Sequence, residues 1–214
     1  MVPDPAQTLT TQDGVALEAQ LHLPPAVHGG VVVCHPHPLY GGDMENPVVV
    51  RVDEVCSALG LVTLRFNFRG VGRSTGAHGD GVSEELDVET ALSRLTSAVG
   101  GKGPLALGGY SFGAAMVAKV APRHTELGGV LLVAPPLARV DVGHFAALRP
   151  FGRRLLIVAG GSDEICPSAA LTKLTETLPQ AAVHVIEGAN HFFFGKLYPL
   201  GEAVGAWARA CLLA

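Results

Sequence analysis

Residues 104–121, PLALGGYSFGAAMVAKVA, decide the fold. An apolar run from Pro104 to Leu107 enters Gly108-Gly109-Tyr110-Ser111-Phe112-Gly113, and an alanine-rich helical pattern leaves it. Strand, sharp turn and helix in that order are the setting in which G-x-S-x-G has a chemical meaning. A serine at the apex must adopt a crowded backbone conformation, and strand and helix can close on each other only if Gly109 and Gly113 carry no side chain. Ser111 Oγ then stands free above the sheet. The amides of Phe112 and Gly113 point from the first helical turn to where an oxyanion would form. A glycine-rich chain can produce such a string by chance, so the rest of the sequence has to supply chemical partners.

Working outward, β-type and α-type segments alternate. Residues 7–12 and 15–23 flank Asp13-Gly14, a hairpin signal, and Val15, Leu17, Ala19, Leu21 and Leu23 alternate with more polar positions. Gly30–Cys34 is apolar without alternation, as a strand covered on both faces requires. Asn46-Pro47 is an N-cap followed by proline at the first helical position, predicting a helix over 47–58. Strands are predicted at 61–66, 105–108, 127–133, 155–159 and 183–186, and helices at 82–99, 112–121, 168–177 and 201–212. The pattern is α/β: one domain over 1–214, with a mostly parallel, doubly wound sheet and helices on both faces.

Composition excludes several functions. Hydrophobic residues make up 48% of the 214, charged residues 16%, and the net charge is -4, so a polyanion has no electrostatic hold and no nucleic-acid partner is expected. MVPDPAQTLTTQDG has neither the basic start nor the apolar core of a secretory leader, and no stretch is long enough to span a bilayer. A soluble, cytoplasmic protein without a membrane span is expected, as a monomer or small homo-oligomer. Cys34, Cys56, Cys166 and Cys211 are far apart, without C-x-x-C spacing, and read as reduced thiols.

In open α/β sheets ligands bind at the carboxyl ends of the strands, where this sequence concentrates its unusual residues. Cys34 is followed by HPHPLYGG, Phe66 by NFRGVGRS, Ala159 by GGSDEICP and Ile186 by EGANHF. Residues 70–76, GVGRSTG, resemble a dinucleotide fingerprint only superficially, the third glycine standing one place late. His35-x-His37 with Asp43 lacks a third ligand of suitable spacing, and Pro36 and Pro38 suit a rigid turn better, so neither metal nor cofactor is expected.

A serine hydroxyl needs a base to take its proton, and the base needs a carboxylate to fix its tautomer. His191 follows the last strand and Asp163 the one before it, giving Ser111, Asp163, His191 in the chain order this fold uses. Glu164 and Asp141 are rival acids. His22, His28, His78, His124, His144 and His184 read as ordinary solvated or packing residues. An oxyanion hole requires two converging donors. Phe112 N–H is one; Pro36 and Pro38 have no N–H, so the second falls among His37, Leu39 and Tyr40, with His37 favoured and Tyr40 the alternative, its phenol otherwise lining the mouth.

HPHPLYGGDMENPVV, RFNFRGVGRSTG, GYSFGA, GSDEICP and GANHFFFG, standing in this order, resemble a small, lidless α/β-hydrolase of the dienelactone-hydrolase and dipeptidyl-peptidase-like branch. The resemblance implies acylation of Ser111 by an ester and hydrolysis of the acyl-enzyme by water, with His191, Asp163 and the Phe112 amide in support. The cysteine nucleophile of true dienelactone hydrolases is absent. Its implied function is a serine carboxylic-ester hydrolase; a thioesterase, an acyl-peptide hydrolase or a non-catalytic ligand binder are the alternatives. Only residues 134–154 separate two strands where many relatives carry a lid, so no cap is expected. The predicted pocket walls are Leu39, Tyr40, Phe112, Leu137, Phe145 and Phe192. These suit a small apolar ester of short to medium chain, with no Arg or Lys cluster nearby and with Arg69 and Arg73 bracing the glycine loop.

Overall fold

The computed structural model describes residues 6–213. The chain alternates β1 (Gln7–Thr10), β2 (Ala16–His22), β3 (Gly30–Cys34), α1 (Pro47–Ala58), β4 (Val62–Phe66), α2 (Glu84–Val99), β5 (Leu105–Tyr110), α3 (Phe112–Val120), β6 (Gly129–Val133), β7 (Leu155–Gly160), α4 (Ser168–Thr177), β8 (Ala182–Ile186) and α5 (Leu197–Leu212). The eight strands form one sheet in the order β1-β2-β4-β3-β5-β6-β7-β8. The hairpin pairs antiparallel within itself and onto β4, and every other pairing is parallel.

Parallel strands buried on both faces send alternate side chains into two cores. Val32 and Cys34 of β3 pack with Val88, Leu92 and Leu95 of α2 and with α3. Val31 and Val33 face the other way, onto Val48, Val49 and Val52 of α1 and Val204 and Trp207 of α5. Trp207 lies against Gly129 at the start of β6, and its indole N–H donates to Arg154 O at 3.0 Å.

The helix signals act through identifiable bonds. Asn46 Oδ1 accepts the Val48 amide at 3.0 Å, and Pro47 occupies the first helical position, where its missing N–H costs nothing. Glu84 and Asp87, in the first turn of α2, are fully buried and do more than complement the helix dipole. Glu84 accepts the amides of Gly79 and Gly81, folding the loop before α2 onto the helix. Asp87 accepts the Arg69 amide and guanidinium, with 2.7 Å to Nη2. Arg69 also reaches Asp13, and Arg73 pairs with Glu18, so both arginines tie the glycine loop to the hairpin.

The largest departure from the predicted boundaries is at α5. α5 begins at Leu197, four residues early, because Pro199 sits in the first turn, where no intrahelical N–H bond is required. Residues 134–154 contain no cap: Asp141 accepts the Gly143 amide and opens a 3₁₀ run, Val142–Arg154, interrupted at Gly152.

Candidate active site

The turn between β5 and α3 has the crowded geometry its glycines require. Ser111 lies at φ 54°, ψ -114°, a region that L-residues rarely occupy. A Cβ on Gly109 would stand 2.3 Å from Gly113 C, and one on Gly113 would stand 2.4 Å from Cys34 O. The turn is pinned by Ser111 N–H donating to Val133 O at 2.9 Å and by Ser111 O accepting the Ala114 amide at 3.0 Å. Ser111 Oγ therefore projects from the carboxyl edge of the sheet at the head of α3.

His191 reaches that hydroxyl from the loop after β8, its Nε2 lying 3.0 Å from Ser111 Oγ. Its Nδ1 lies 2.8 Å from Asp163 Oδ2 and 3.0 Å from Oδ1. With Nδ1–H donated to the carboxylate, Nε2 is left as an acceptor for the serine proton. Asp163 is itself fixed, since Oδ1 accepts the amides of Ile165 and Cys166, each at 2.8 Å. Tyr110 clamps the histidine loop by donating its hydroxyl to His191 O at 2.9 Å. Burial, with the Asp163 carboxylate nearby, pushes the Tyr110 phenol above its ordinary value and keeps it a donor. Ser111, Asp163 and His191 are all buried, whereas Glu164 points to solvent and Asp141 serves as a helix cap.

The loop after β3 supplies the opposite wall. Leu39 N–H donates to His37 Nδ1 and Tyr40 N–H to His37 O, which leaves the His37 amide as the one not drawn into the loop's own bonds. Tyr40 thus loses its amide as an oxyanion donor, and its ring stands on the rim. His35 is the keystone of this loop. Its Nε2 accepts the Phe68 amide at 3.0 Å and its Nδ1–H donates to Pro36 O at 2.6 Å, so neither nitrogen is free for a metal. Burial lowers its pKa to about 4, which holds the ring neutral. His37 is lowered too, first by burial and then by His78 and Arg139.

Between these walls lies a cavity of about 670 Å³, bordered by Ser111, His191, Phe112, Tyr40 and Phe192 among others. Three predicted wall residues lie elsewhere. Phe145 is fully buried, packed with the 3₁₀ run against α3, and Leu137 is buried in the same core. Leu39 is 69% exposed, on the outer side of a single 3₁₀ turn. In their place stand Met116, Ala115, Pro136, Val140 and Ile165, with Asp80; His78 and His144, expected to be ordinary solvated or packing residues, border the cavity as well, and so do two cations, Lys119 and Arg139, where no basic cluster was expected. His78 packs edge-on to Phe112 and lies 5.0 Å from the His37 ring; its Nδ1 is 2.7 Å from Glu84 Oε1 at an angle that makes no hydrogen bond. His144 Nε2 lies 2.9 Å from Ala115 O. No local pattern announces these residues, because they reach the cavity from loops and a helix face distant in sequence.

A sheet of this order with a serine on the turn between β5 and α3, and no cap over it, defines the lidless α/β-hydrolase class. The chain belongs to the family described as the alpha/beta hydrolase domain, which matches residues 31–197. It is 32% identical over 179 residues to an uncharacterized protein of Rickettsia prowazekii (strain Madrid E), covering 81% of this chain and 75% of that one. It is similar to an alpha-beta serine hydrolase homologue from Coxiella burnetii, at 32% identity and TM-score 0.84 over 96% of this chain and 98% of the other. A lidless a/b serine hydrolase from Xanthomonas campestris matches at 31% identity and TM-score 0.86, over 100% of this chain and 97% of that one. These likenesses support a general hydrolytic role. Among the described residues no helix is long and apolar enough to cross a membrane.

Proposed function

We propose that the protein is a serine carboxylic-ester hydrolase acting through an acyl-enzyme. One observation carries the reading: an unbroken chain of contacts from Ser111 Oγ through His191 to an Asp163 carboxylate anchored by two amides. His191 Nε2 takes the Ser111 proton as Oγ attacks the ester carbonyl, and Asp163 stabilises the imidazolium that forms. The amides of Phe112 and His37 receive the oxyanion. His191 protonates the leaving alkoxide, then activates the water that releases the acid.

The apolar wall of Phe112, Met116, Val140 and Ile165 suits an acyl chain, each buried methylene contributing roughly 0.8 kcal/mol. An uncapped cleft runs out of wall as the chain lengthens, so the favoured esters are those of about two to eight acyl carbons. The order of motifs supports a place in the dienelactone-hydrolase and dipeptidyl-peptidase-like branch. Four free cysteines suit a reducing, cytoplasmic setting.

A fluorophosphonate probe should label Ser111 alone and stoichiometrically, and Ser111→Ala should abolish labelling while leaving thermal unfolding intact. Peptide mapping that places the label on another serine, or finds none, overturns the reading. A chain-length series of p-nitrophenyl esters, run beside acyl-CoA and an acyl-peptide, ranks ester against thioester and amide.

A further inference from the structure

The cavity is charged in a way its apolar lining conceals. In a chain of net charge -4, its wall carries two cations, Lys119 and Arg139, against one carboxylate, Asp80. The two cations are not equivalent. Lys119 Nζ donates to Gly81 O and lies 3.4 Å from Glu85, so its charge is largely answered from within the fold. The Asp80 side chain is 97% exposed, turned to water beside His78, and leaves the basic wall unbalanced. Arg69, Arg73 and Arg123 are each paired with carboxylates. Arg139 has no such partner among the described residues.

Its position is nevertheless prepared. The backbone of the loop after β6 is tied to the loop that holds Asp163 by Ala138 N–H donating to Ile165 O at 2.9 Å, and it is turned by the Arg139 and Val140 amides, which both donate to Pro136 O. The guanidinium rests over the Tyr40 ring, 5.7 Å from its centroid. A cation over an aromatic face is drawn to it electrostatically while its N–H fork stays free to take two oxygens side by side. From there the wall leads inward by short steps: Tyr40 to the His37 ring, 4.8 Å, and His37 to the Phe112 ring, 5.0 Å, beside Ser111.

We propose that this site takes esters bearing a carboxylate remote from the scissile carbonyl, with Arg139, lying over the Tyr40 ring, as the residue that binds it. The inference rests on the ester-hydrolase reading for its scissile bond and names the substrate class within it. An apolar segment crosses the Phe112 and Met116 wall, the carbonyl meets Ser111, and the far end carries the anion. Attack by Ser111 Oγ expels the alkoxide, which leaves protonated by His191; water then splits the acyl-enzyme to the free acid, and the remote carboxylate passes through unchanged.

Matched pairs test this. Monoethyl adipate against diethyl adipate places the charge on the acyl side, and 4-acetoxybutanoate against its methyl ester places it on the alcohol side. In at least one pair the anionic member should be favoured about tenfold in kcat/KM, through KM, with the preference shrinking as salt screens the rim. Arg139→Gln should collapse that ratio, and Arg139→Lys should restore it in part. A ratio near one in both pairs, or one that Arg139→Gln leaves in place, overturns the proposal. A binding arm separates this failure from failure of the hydrolase reading. Calorimetric titration of Ser111→Ala with monoethyl adipate should show binding that the added Arg139→Gln removes, whether or not any ester is turned over. Equal binding with and without Arg139 overturns the anion site alone.

Discussion

Ser111 is held where an unsupported L-residue would pay on the order of 1–3 kcal/mol of backbone strain, and the two glycines around it let β5, α3 and the end of β3 crowd together closely enough to keep it there. After Ser111 and His191, the Asp163 carboxylate is the group whose loss should be felt most. Asp163→Asn should lower kcat on ester substrates by about 10³ to 10⁴, because His191 loses the acceptor that fixes its tautomer. Glu164→Gln, on the exposed neighbour, should change the rate far less, and steady-state kinetics of the two variants provides the check. These residues were legible because each stands just beyond a strand, where chain order alone brings loops to one edge. Arg139, His78 and His144 were not, since nothing in their neighbours reveals which loop leans over the cavity. Phe145 misled for the opposite reason: an aromatic near a site looks the same in sequence whether it faces substrate or core.

The loops after β3 and β4 are joined by His35, and this joint is sensitive to acid. The ring is neutral in the fold because burial lowers its pKa from an ordinary 6.5 to about 4. The unfolded chain therefore binds the proton first as pH falls. Stability from this group is fully present above pH 6.5 and declines between 6.5 and 4, by roughly 3 kcal/mol across the window. Urea unfolding midpoints should fall over that interval, and His35→Gln should start lower but show a flatter slope. The existence and order of the strands and helices could be read from apolar runs, caps and turn residues. What could not be read was the work of the acidic start of α2: Glu84 and Asp87 look like dipole-favouring surface residues, yet both are buried to fasten loops, a role visible only when Gly79, Gly81 and Arg69 arrive beside them.

Across the molecule, two cores sandwich one sheet, and the thiols are distributed between them. Cys34 and Cys56 are fully buried and Cys166 nearly so; burial pushes the Cys56 and Cys166 thiols up to about 12 and raises Cys34 as well. Cys211, on α5, is half-buried, and burial raises its thiol too. A disulfide reagent should therefore modify one thiol quickly in the native protein and all four in guanidinium, with the slow three following global unfolding. That the sheet is mostly parallel with helices on both faces was foreseeable from the β-α alternation, because parallel strands need crossovers; the strand order was not read from the sequence. Nor was the position of the single tryptophan. Trp207 packs at the start of β6, the end of the sheet remote from Ser111, about a strand length or roughly 16 Å away. Its fluorescence is thus a reporter of folding that is blind to the cleft. Saturation with monoethyl adipate should leave the emission maximum where it is, while guanidinium should shift it to the red, so that ligand binding and loss of structure can be read on separate optical channels in one cuvette.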